Sequence, residues 1–257
     1  MSEENTKTRE RISGLFSTEK SERIGTGTTQ RKKVFKTYWY VTENDAGELK
    51  GQPLNENQVP AGPKTDIDRE EFMANYTPEM EHYMKVVFPA LQEVNNTVER
   101  AEAQRQKGAL YSAEFEYENV LAIDEENVRA NFGLGLTYME RGDTDKAKDV
   151  LKRIVGLDAP FQEEHKHLFN DFGINLRKNN LNDEALAYYE RAVSIGSNDE
   201  NIHYNIARVY YQKGENQQAA ENLQAALKIN PDHDEAQQFL NAVKKKIAES
   251  ASDLNFT

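Results

Sequence analysis

The chain has 257 residues and no cysteine, and its 44 acidic residues outnumber its 32 basic residues, which gives a formal net charge of -12. Only 37% of the residues are hydrophobic, a composition that is lean for a thick α/β enzyme core and favours thin helical arrays. The lack of cysteine excludes disulfides, thiolate metal ligands and cysteine nucleophiles. Neither a secretory signal nor an apolar run of about 18 residues occurs, so the sequence predicts no membrane insertion and a cytoplasmic location.

Charge is distributed unevenly between the first 40 residues and the rest of the chain. Residues 1–40 carry nine basic and five acidic side chains, a net charge of +4, which leaves -16 on residues 41–257. Residues 1–33 are rich in Ser, Thr, Glu and Lys, so they can bury too little apolar surface to offset the conformational entropy lost on folding. The sequence therefore predicts a disordered basic arm over residues 1–33.

Residues 34–78 are predicted to contain a β-hairpin or extended segment and a short helix. Aromatic and β-branched side chains dominate residues 34–41, which is typical of a strand. A turn-rich stretch follows at residues 43–47, and residues 48–54 can return as the second strand of the hairpin.

Several helix signals follow the predicted hairpin. Thr65 with Asp68 three residues later resembles a capping box, which predicts a short helix that ends near Tyr76. Thr77-Pro78 is a second start signal, with threonine as the N-cap and proline at the first helical position. Pro89 is expected to kink or split the helix that follows, because proline lacks the N–H that a helix interior requires.

The second half of the sequence is repetitive. Stretches that begin at Arg129, His167 and Asn201 align with one another at offsets of 38 and 34 residues, and an insertion near Pro160 accounts for the longer offset. Residues 113–126 share the second half of the unit. Each unit carries small residues at three positions and large residues at two others. The last unit shows the pattern most fully, with Ala207, Tyr210, Ala219, Leu223, Ala226 and Pro231.

This pattern resembles the tetratricopeptide repeat, a helix–turn–helix unit of about 34 residues, over residues 94–233. The resemblance implies a mainly α fold in which residues 79–248 form a solenoid of about four helical hairpins with a capping helix. A flexible tail is expected at residues 249–257. Small residues let the two helices of a unit approach closely, and the turns between helices fall at positions that favour glycine or asparagine. These turn residues are Gly108, Gly142, Asn180 and Gly214.

The resemblance also implies a concave groove lined by the first helix of each unit. The residues at the lining positions are Arg129, Phe132, Met139, His167, Asn170, Asp171, Arg177, Tyr204, Asn205, Arg208 and Tyr211. Asn can pair with the amides of an extended peptide, and Arg and Tyr are good interface anchors. The alternative is an ordinary polar helix surface, but exposed aromatic residues favour a groove that binds a partner protein or peptide.

The sequence predicts no catalytic, cofactor-binding or metal site. Gly25-Thr26-Gly27 lacks the other elements of a nucleotide-binding loop. His165 and His167 are two residues apart, so a helix would point them to different faces. We therefore predict an adaptor or scaffold that is not an enzyme. The sequence specifies neither the partner's identity nor the oligomeric state.

The basic arm leaves an alternative function open. Arg31-Lys32-Lys33 is followed by aromatic residues, a mixture that occurs in nucleic-acid binders. A regulatory nucleic-acid-associated protein that uses the N-terminal arm is the alternative, and it is the less favoured one because three basic residues are a weak signal in so acidic a chain. The arm could instead contact the acidic repeat surface or an acidic partner.

Overall fold

The computed structural model describes residues 11–24, 31–161, 165–196 and 199–254. The chain divides into two compact units. The first unit comprises residues 1–103 and 115–127, and the second comprises residues 104–114 and 128–257. Strands and one short helix dominate the start of the first unit, and the second unit is helical. This combination confirms the prediction of a mainly α fold preceded by a small antiparallel sheet.

The first unit contains a five-stranded antiparallel sheet with the strand order β4-β3-β2-β1-β5. The strands are β1 Ser13–Ile24, β2 Arg31–Glu43, β3 Leu49–Pro53, β4 Thr65–Ile67 and β5 Thr77–Pro78. Strands β2 and β3 are the predicted hairpin, and Glu43 lies opposite Leu49 at the turn. Asn44 forms this turn, because its side-chain oxygen accepts hydrogen bonds from the N–H groups of Ala46 and Glu48.

The prediction of a disordered arm over residues 1–33 is wrong for Ser13–Ile24, which form β1, and for residues 31–33, which begin β2. Strand β1 pairs with β2 along its whole length, so the ladder satisfies the backbone groups on the β2 side that a polar sequence would otherwise leave to water. Leu15 and Ser17 are also buried, which anchors the start of the strand. Residues 1–10 and 25–30 lie outside the described residues.

The two faces of the sheet are covered by different helices. Helix α1, Arg69–Asn75, packs on one face. The core on that side is formed by Val41, Leu49, Ile67 and Phe72. On the other face Tyr38 stacks on His82 with ring centroids 4.6 Å apart, and Tyr40 stacks on Tyr83 at 6.1 Å.

Two of the predicted helix starts are wrong. Helix α1 is capped by Asp68, whose carboxylate accepts hydrogen bonds from the N–H groups of Glu70 and Glu71. Thr65 lies in β4 instead, and its hydroxyl donates to the carbonyl of Gly51 at 3.1 Å. Thr77-Pro78 forms β5, an edge strand, where the missing N–H of proline is tolerated.

The predicted irregularity near Pro89 takes the form of a π-helical turn. Helix α2, Met80–His82, runs into this turn at Tyr83–Val87, and α3, Phe88–Gln106, continues from it. Pro89 has no N–H to donate to the carbonyl of Lys85, four residues earlier, and its ring crowds that carbonyl. The wider π turn accommodates both effects without ending the helix.

In the described part of the chain eight more α-helices follow α3, connected mostly by short turns. They are α4 Leu110–Ile123, α5 Val128–Arg141, α6 Thr144–Gly156, α7 Lys166–Lys178, α8 Asn182–Ser194, α9 Glu200–Lys213, α10 Asn216–Ile229 and α11 Asp234–Leu254. The insertion near Pro160 forms a 3-10 turn at Ala159–Phe161. No helix of the described residues is long and apolar enough to cross a membrane.

The predicted turn and packing positions are confirmed by the backbone. Gly108, Gly142 and Gly214 have φ values of 75°, 82° and 82°, and Asn180 has a φ of 59°. These left-handed conformations end one helix and start the next. The second helix of each unit has a fully buried alanine at the position where the pattern requires a small residue, namely Ala113, Ala147, Ala185 and Ala219.

Candidate partner-binding face

The predicted groove residues lie on three helices of the second unit. Helix α5 carries Arg129, Phe132 and Met139. Helix α7 carries His167, Asn170, Asp171 and Arg177. Helix α9 carries Tyr204, Asn205, Arg208 and Tyr211. Their exposure separates them into residues that a partner could reach and residues that belong to the core.

The contribution predicted from α5 is wrong for two residues. Phe132 is fully buried and Met139 is 4% exposed. The ring centroid of Phe132 lies 5.2 Å from that of Phe172 on α7 and 6.4 Å from that of Tyr188 on α8. Aromatic side chains of the next unit therefore cover this part of α5, and Phe132 stabilises the array instead of lining a groove.

The remaining predicted residues differ in accessibility. Asn205 is 7% exposed, so it too is part of the interior. Arg129 and Asn170 are half-buried, whereas His167 and Asp171 are exposed. None of these four residues lines the groove described below. The predicted residues that do gather lie around α9.

A set of three aromatic side chains, the aromatic trio, connects α9 to α11. Phe239 of α11 lies edge-on to Tyr204 at 6.0 Å and to Tyr211 at 5.2 Å, measured between ring centroids. All three rings are half-buried. The aromatic trio therefore packs with one side against the buried core cluster of α9, α10 and α11 and leaves the other side accessible.

The prediction missed the contribution of α11, which was expected only to cap the array. The buried residues of α11 are Ala236, Leu240 and Val243, at helical spacing. Glu235, Phe239 and Lys246 form a second stripe beside it, also at helical spacing. This second stripe is visible in the sequence and could have indicated that α11 has another face in use.

Three cations surround the aromatic trio. The guanidinium of Arg208 lies 5.8 Å from the ring centroid of Tyr204, and Lys246 Nζ lies 4.5 Å from that of Tyr211. Arg177 of α7 donates to Gln212 Oε1 at 3.3 Å. These contacts place the cations on the same side of α7, α9 and α11.

None of these three cations has a carboxylate oxygen within 4.0 Å in the described part of the chain, whereas Lys166 and Lys213 nearby form ion pairs of 2.8 and 2.7 Å. Burial lowers the pKa of Arg177, and the charge of Arg208 lowers it further. The two guanidinium groups therefore repel each other, and the acidic residue among the lining residues of the adjoining groove, Glu235, does not form an ion pair with either of them within 4.0 Å.

A groove of about 410 Å³ borders the aromatic trio. Its lining residues are Tyr204, Arg208, Glu235, Gln238 and Phe239. The carboxylate of Glu235 lies 3.2 Å from His233 Nδ1, close to the start of α11. A volume of this size suits a few side chains of a bound segment. We refer to this groove with Arg177, Tyr211 and Lys246 as the α9–α11 face.

Consecutive helix pairs, joined by turns at Gly108, Gly142, Asn180 and Gly214, are the architecture of a helical repeat protein. The family model of the tetratricopeptide repeat matches residues 104–168 and 176–243, which is more than half of the chain. The chain therefore belongs to the tetratricopeptide repeat family, as the sequence pattern predicted.

Solved structures with a similar fold include MamA, at 23% identity over 63% of this chain and 87% of that chain, with a TM-score of 0.47. PilF of Pseudomonas aeruginosa is 16% identical over 62% of this chain and 70% of that chain, with a TM-score of 0.46. Cut9–Hcn1 of the APC/C is 19% identical over 64% of this chain and 34% of that chain, with a TM-score of 0.43. No curated protein sequence matches the chain.

Proposed function

We propose that the protein is an adaptor that binds an acidic segment of a partner protein on the α9–α11 face. Tetratricopeptide repeats commonly serve as scaffolds for protein–protein interaction. The proposal adds a location and a ligand chemistry to that general role. The observation that carries it is the presence of three cations around an accessible aromatic surface, without a carboxylate partner among the described residues.

The aromatic trio would supply the apolar part of the binding energy. An aliphatic or aromatic side chain of the partner that entered the groove would pack against Tyr204 and Phe239. Tyrosine and arginine are enriched among the interface residues whose truncation costs most affinity. Both residue types lie here on helices, which hold them with less loss of conformational entropy than a loop would.

Electrostatics favour an acidic segment over a neutral one. A carboxylate placed at Arg177 and Arg208 would accept charge-assisted hydrogen bonds and relieve the repulsion between the two guanidinium groups. The chain has a net charge of -12, so most of its surface would repel such a segment. The contrast between this face and the rest of the surface would therefore fix the location and orientation of the partner.

Peptides selected from a random library on the full chain test the proposal. We expect the selected peptides to combine Asp or Glu with an apolar side chain. The triple variant Arg177→Ala, Tyr204→Ala and Arg208→Ala should bind them at least about tenfold more weakly, while circular dichroism shows unchanged helical content.

Lys178→Ala is the matched control, because Lys178 is the next cation on α7, is exposed and does not line the groove. It should leave the affinity for the selected peptides unchanged. The proposal fails if those peptides bind the triple variant as tightly as the wild-type chain, or if acidic residues are not enriched among them.

A further inference from the structure

The outer edge of β1 is only partly covered by another strand. Strand β5 pairs with β1 at Phe16 and Ser17 alone, whereas β1 continues to Ile24 beside β2. Among the described residues no strand pairs with residues 18–24 on this outer edge. The result is an edge of seven residues, in the part of the sheet where residues 31–37 of β2 likewise have no strand partner on the β3 side among the described residues.

The direction of the free backbone groups follows from one hydrogen bond. The N–H of Glu79 donates to the carbonyl of Leu15 at 2.9 Å, on the β5 side of β1. The backbone groups of alternate residues in a strand point to the same side. Glu19, Ser21 and Arg23 therefore direct their N–H and C=O groups to the free edge, which makes it a template for an added strand.

The charges along this edge are available for new contacts. Glu19, Lys20 and Ser21 are exposed. Neither Glu19 nor Lys20 forms an ion pair within 4.0 Å with any residue that the structure describes. Glu19 lies opposite Lys36 of β2, and its charge contributes to raising the pKa of Lys36. An added strand of suitable charge pattern would therefore meet exposed charged side chains as well as free hydrogen-bonding groups.

The sequence of the edge is complementary to itself. Residues 18–24 read TEKSERI. If two such strands run antiparallel with Ser21 opposite its own copy, Glu19 lies opposite Arg23 and Lys20 opposite Glu22. The residues with outward backbone groups then face each other, as an antiparallel ladder requires.

Charge also selects this register over its neighbours. In an antiparallel pair of strands, the numbers of the two paired residues always add up to the same value, which defines the register. The outward N–H and C=O groups of the two copies face each other only if this value changes by two from one register to the next. One step in either direction places Lys20 opposite Lys20, or Glu22 opposite Glu22. Like charges directly opposite each other destabilise a sheet, whereas opposite charges stabilise it. Only the register centred on Ser21 has four opposite-charge pairs.

We infer that two copies of this chain pair through the outer edges of β1, about a two-fold axis at Ser21, and join their sheets into one. The interface is isologous, since each copy presents the same strand to the other. It is small, so the dimer is weak and reversible. This inference concerns the first unit and does not rest on the proposed function of the α9–α11 face.

Sedimentation velocity of the full chain over a concentration series from micromolar to millimolar tests the inference. We expect a reversible monomer–dimer equilibrium. Glu19→Arg and Arg23→Glu should each raise the dissociation constant about tenfold or more, because each makes two pairs repulsive. An equimolar mixture of the two variants should dimerise again. In the mixed dimer positions 19 and 23 are both arginine in one copy and both glutamate in the other, so both cross-strand pairs again join opposite charges.

Two further variants separate pairing from folding. Ser21→Pro removes an N–H that points to the free edge and leaves the ladder with β2 intact, so it should abolish dimers without changing the unfolding temperature. Asp66→Arg reverses a charge on β4, at the opposite edge of the same sheet, and should leave the dimer unchanged.

Three results would each overturn the inference. The first is a chain that stays monomeric at every concentration, including one whose β1 edge binds a nucleic acid or another protein instead. The second is a dimer that Glu19→Arg and Arg23→Glu do not weaken. The third is a failure of the two variants to dimerise when mixed, although both are folded.

Discussion

Gly173 of α7 and Tyr189 of α8 approach each other so closely that no side-chain carbon fits between them. A Cβ built on Gly173 would overlap the phenol ring of Tyr189, which is 1% exposed. The repeat pattern requires a small residue at this position, and the contact gives the reason. Glycine here allows the two helices of the unit to enclose a large aromatic side chain.

Replacing Gly173 by alanine should therefore destabilise the second unit. The added methyl group must displace the ring of Tyr189 or separate the helices, and overpacking of this kind costs about 1–3 kcal/mol. The free energy of unfolding, measured by urea denaturation, should fall by this amount.

Gly156→Ala is the matched control for this substitution. A Cβ on Gly156, at the end of α6, meets no atom within 4 Å. Because alanine favours helix more than glycine does, this variant should be neutral or more stable by up to about 1 kcal/mol. Equal effects of the two substitutions would contradict the explanation.

Ala219 tests the packing between α9 and α10. It is fully buried in a cluster with Ala207 and Leu223. Leucine at this position must push the two helices apart, so Ala219→Leu should lower the free energy of unfolding by about 1–3 kcal/mol. The exposed neighbour Gln218 provides the comparison, and Gln218→Leu should leave the thermal unfolding midpoint nearly unchanged. An unchanged midpoint for Ala219→Leu would contradict the register of the repeat.

The repeat could be predicted from the sequence because its signals are local and recur. Ala219 packs against a helix of its own unit, and Gly214 adopts the left-handed conformation that ends α9. Strand β1 could not be predicted in this way. Residues 18–24 have the composition of a disordered segment, and their structure depends on the ladder with β2, which their own composition does not indicate.

The proposed α9–α11 face was predicted only in part, for two physical reasons. Phe132 was assigned to the groove from its position in a regular repeat. The insertion near Pro160 instead brings Phe161 to within 5.6 Å of Tyr188, measured between ring centroids, and adds to an aromatic core that also includes Phe132. Phe239 was missed because a capping helix was expected to present only a polar outer face.

Phe239 should contribute more to binding than to stability. It is half-buried and lies beside, not within, the stripe that packs α11 onto α10. Phe239→Ala should therefore weaken the binding of selected acidic peptides about tenfold or more. The loss in free energy of unfolding should stay at about 1–2 kcal/mol. If Phe239→Ala binds the selected peptides as tightly as the wild-type chain, the apolar contact does not lie in this groove.

Lys246 should strengthen binding through its charge. Its Nζ lies over the ring of Tyr211 at 4.5 Å, beside the groove, so Lys246→Ala should reduce the affinity for acidic peptides at low salt. The reduction should shrink as salt screens the charge. Lys244 is an exposed lysine of the same helix two residues earlier, and Lys244→Ala should have little effect. Equal losses for the two variants would point to a diffuse charge effect.

Glu114 makes the stability of the second unit depend on pH. Its carboxylate accepts a hydrogen bond from Arg141 and another from Lys146 at 2.9 Å. The Arg141 guanidinium is the main cause that lowers the pKa of Glu114 from 4.5 to about 2. Since the pKa is lower in the folded state, this stabilisation is present above pH 4.5 and is lost as the pH falls towards 2.

Urea denaturation between pH 7 and pH 2 measures this contribution, which we expect to be about 2 kcal/mol because the side chain of Glu114 is only 13% exposed. Glu114→Gln should lower stability at pH 7 and flatten the decline between pH 4.5 and 2. Asp149→Asn is the control, since Asp149 pairs with Lys152 on the exposed surface of α6 and such pairs contribute little. If the free energy of unfolding falls as steeply between pH 4.5 and 2 in Glu114→Gln as in the wild-type chain, other carboxylates cause the pH dependence.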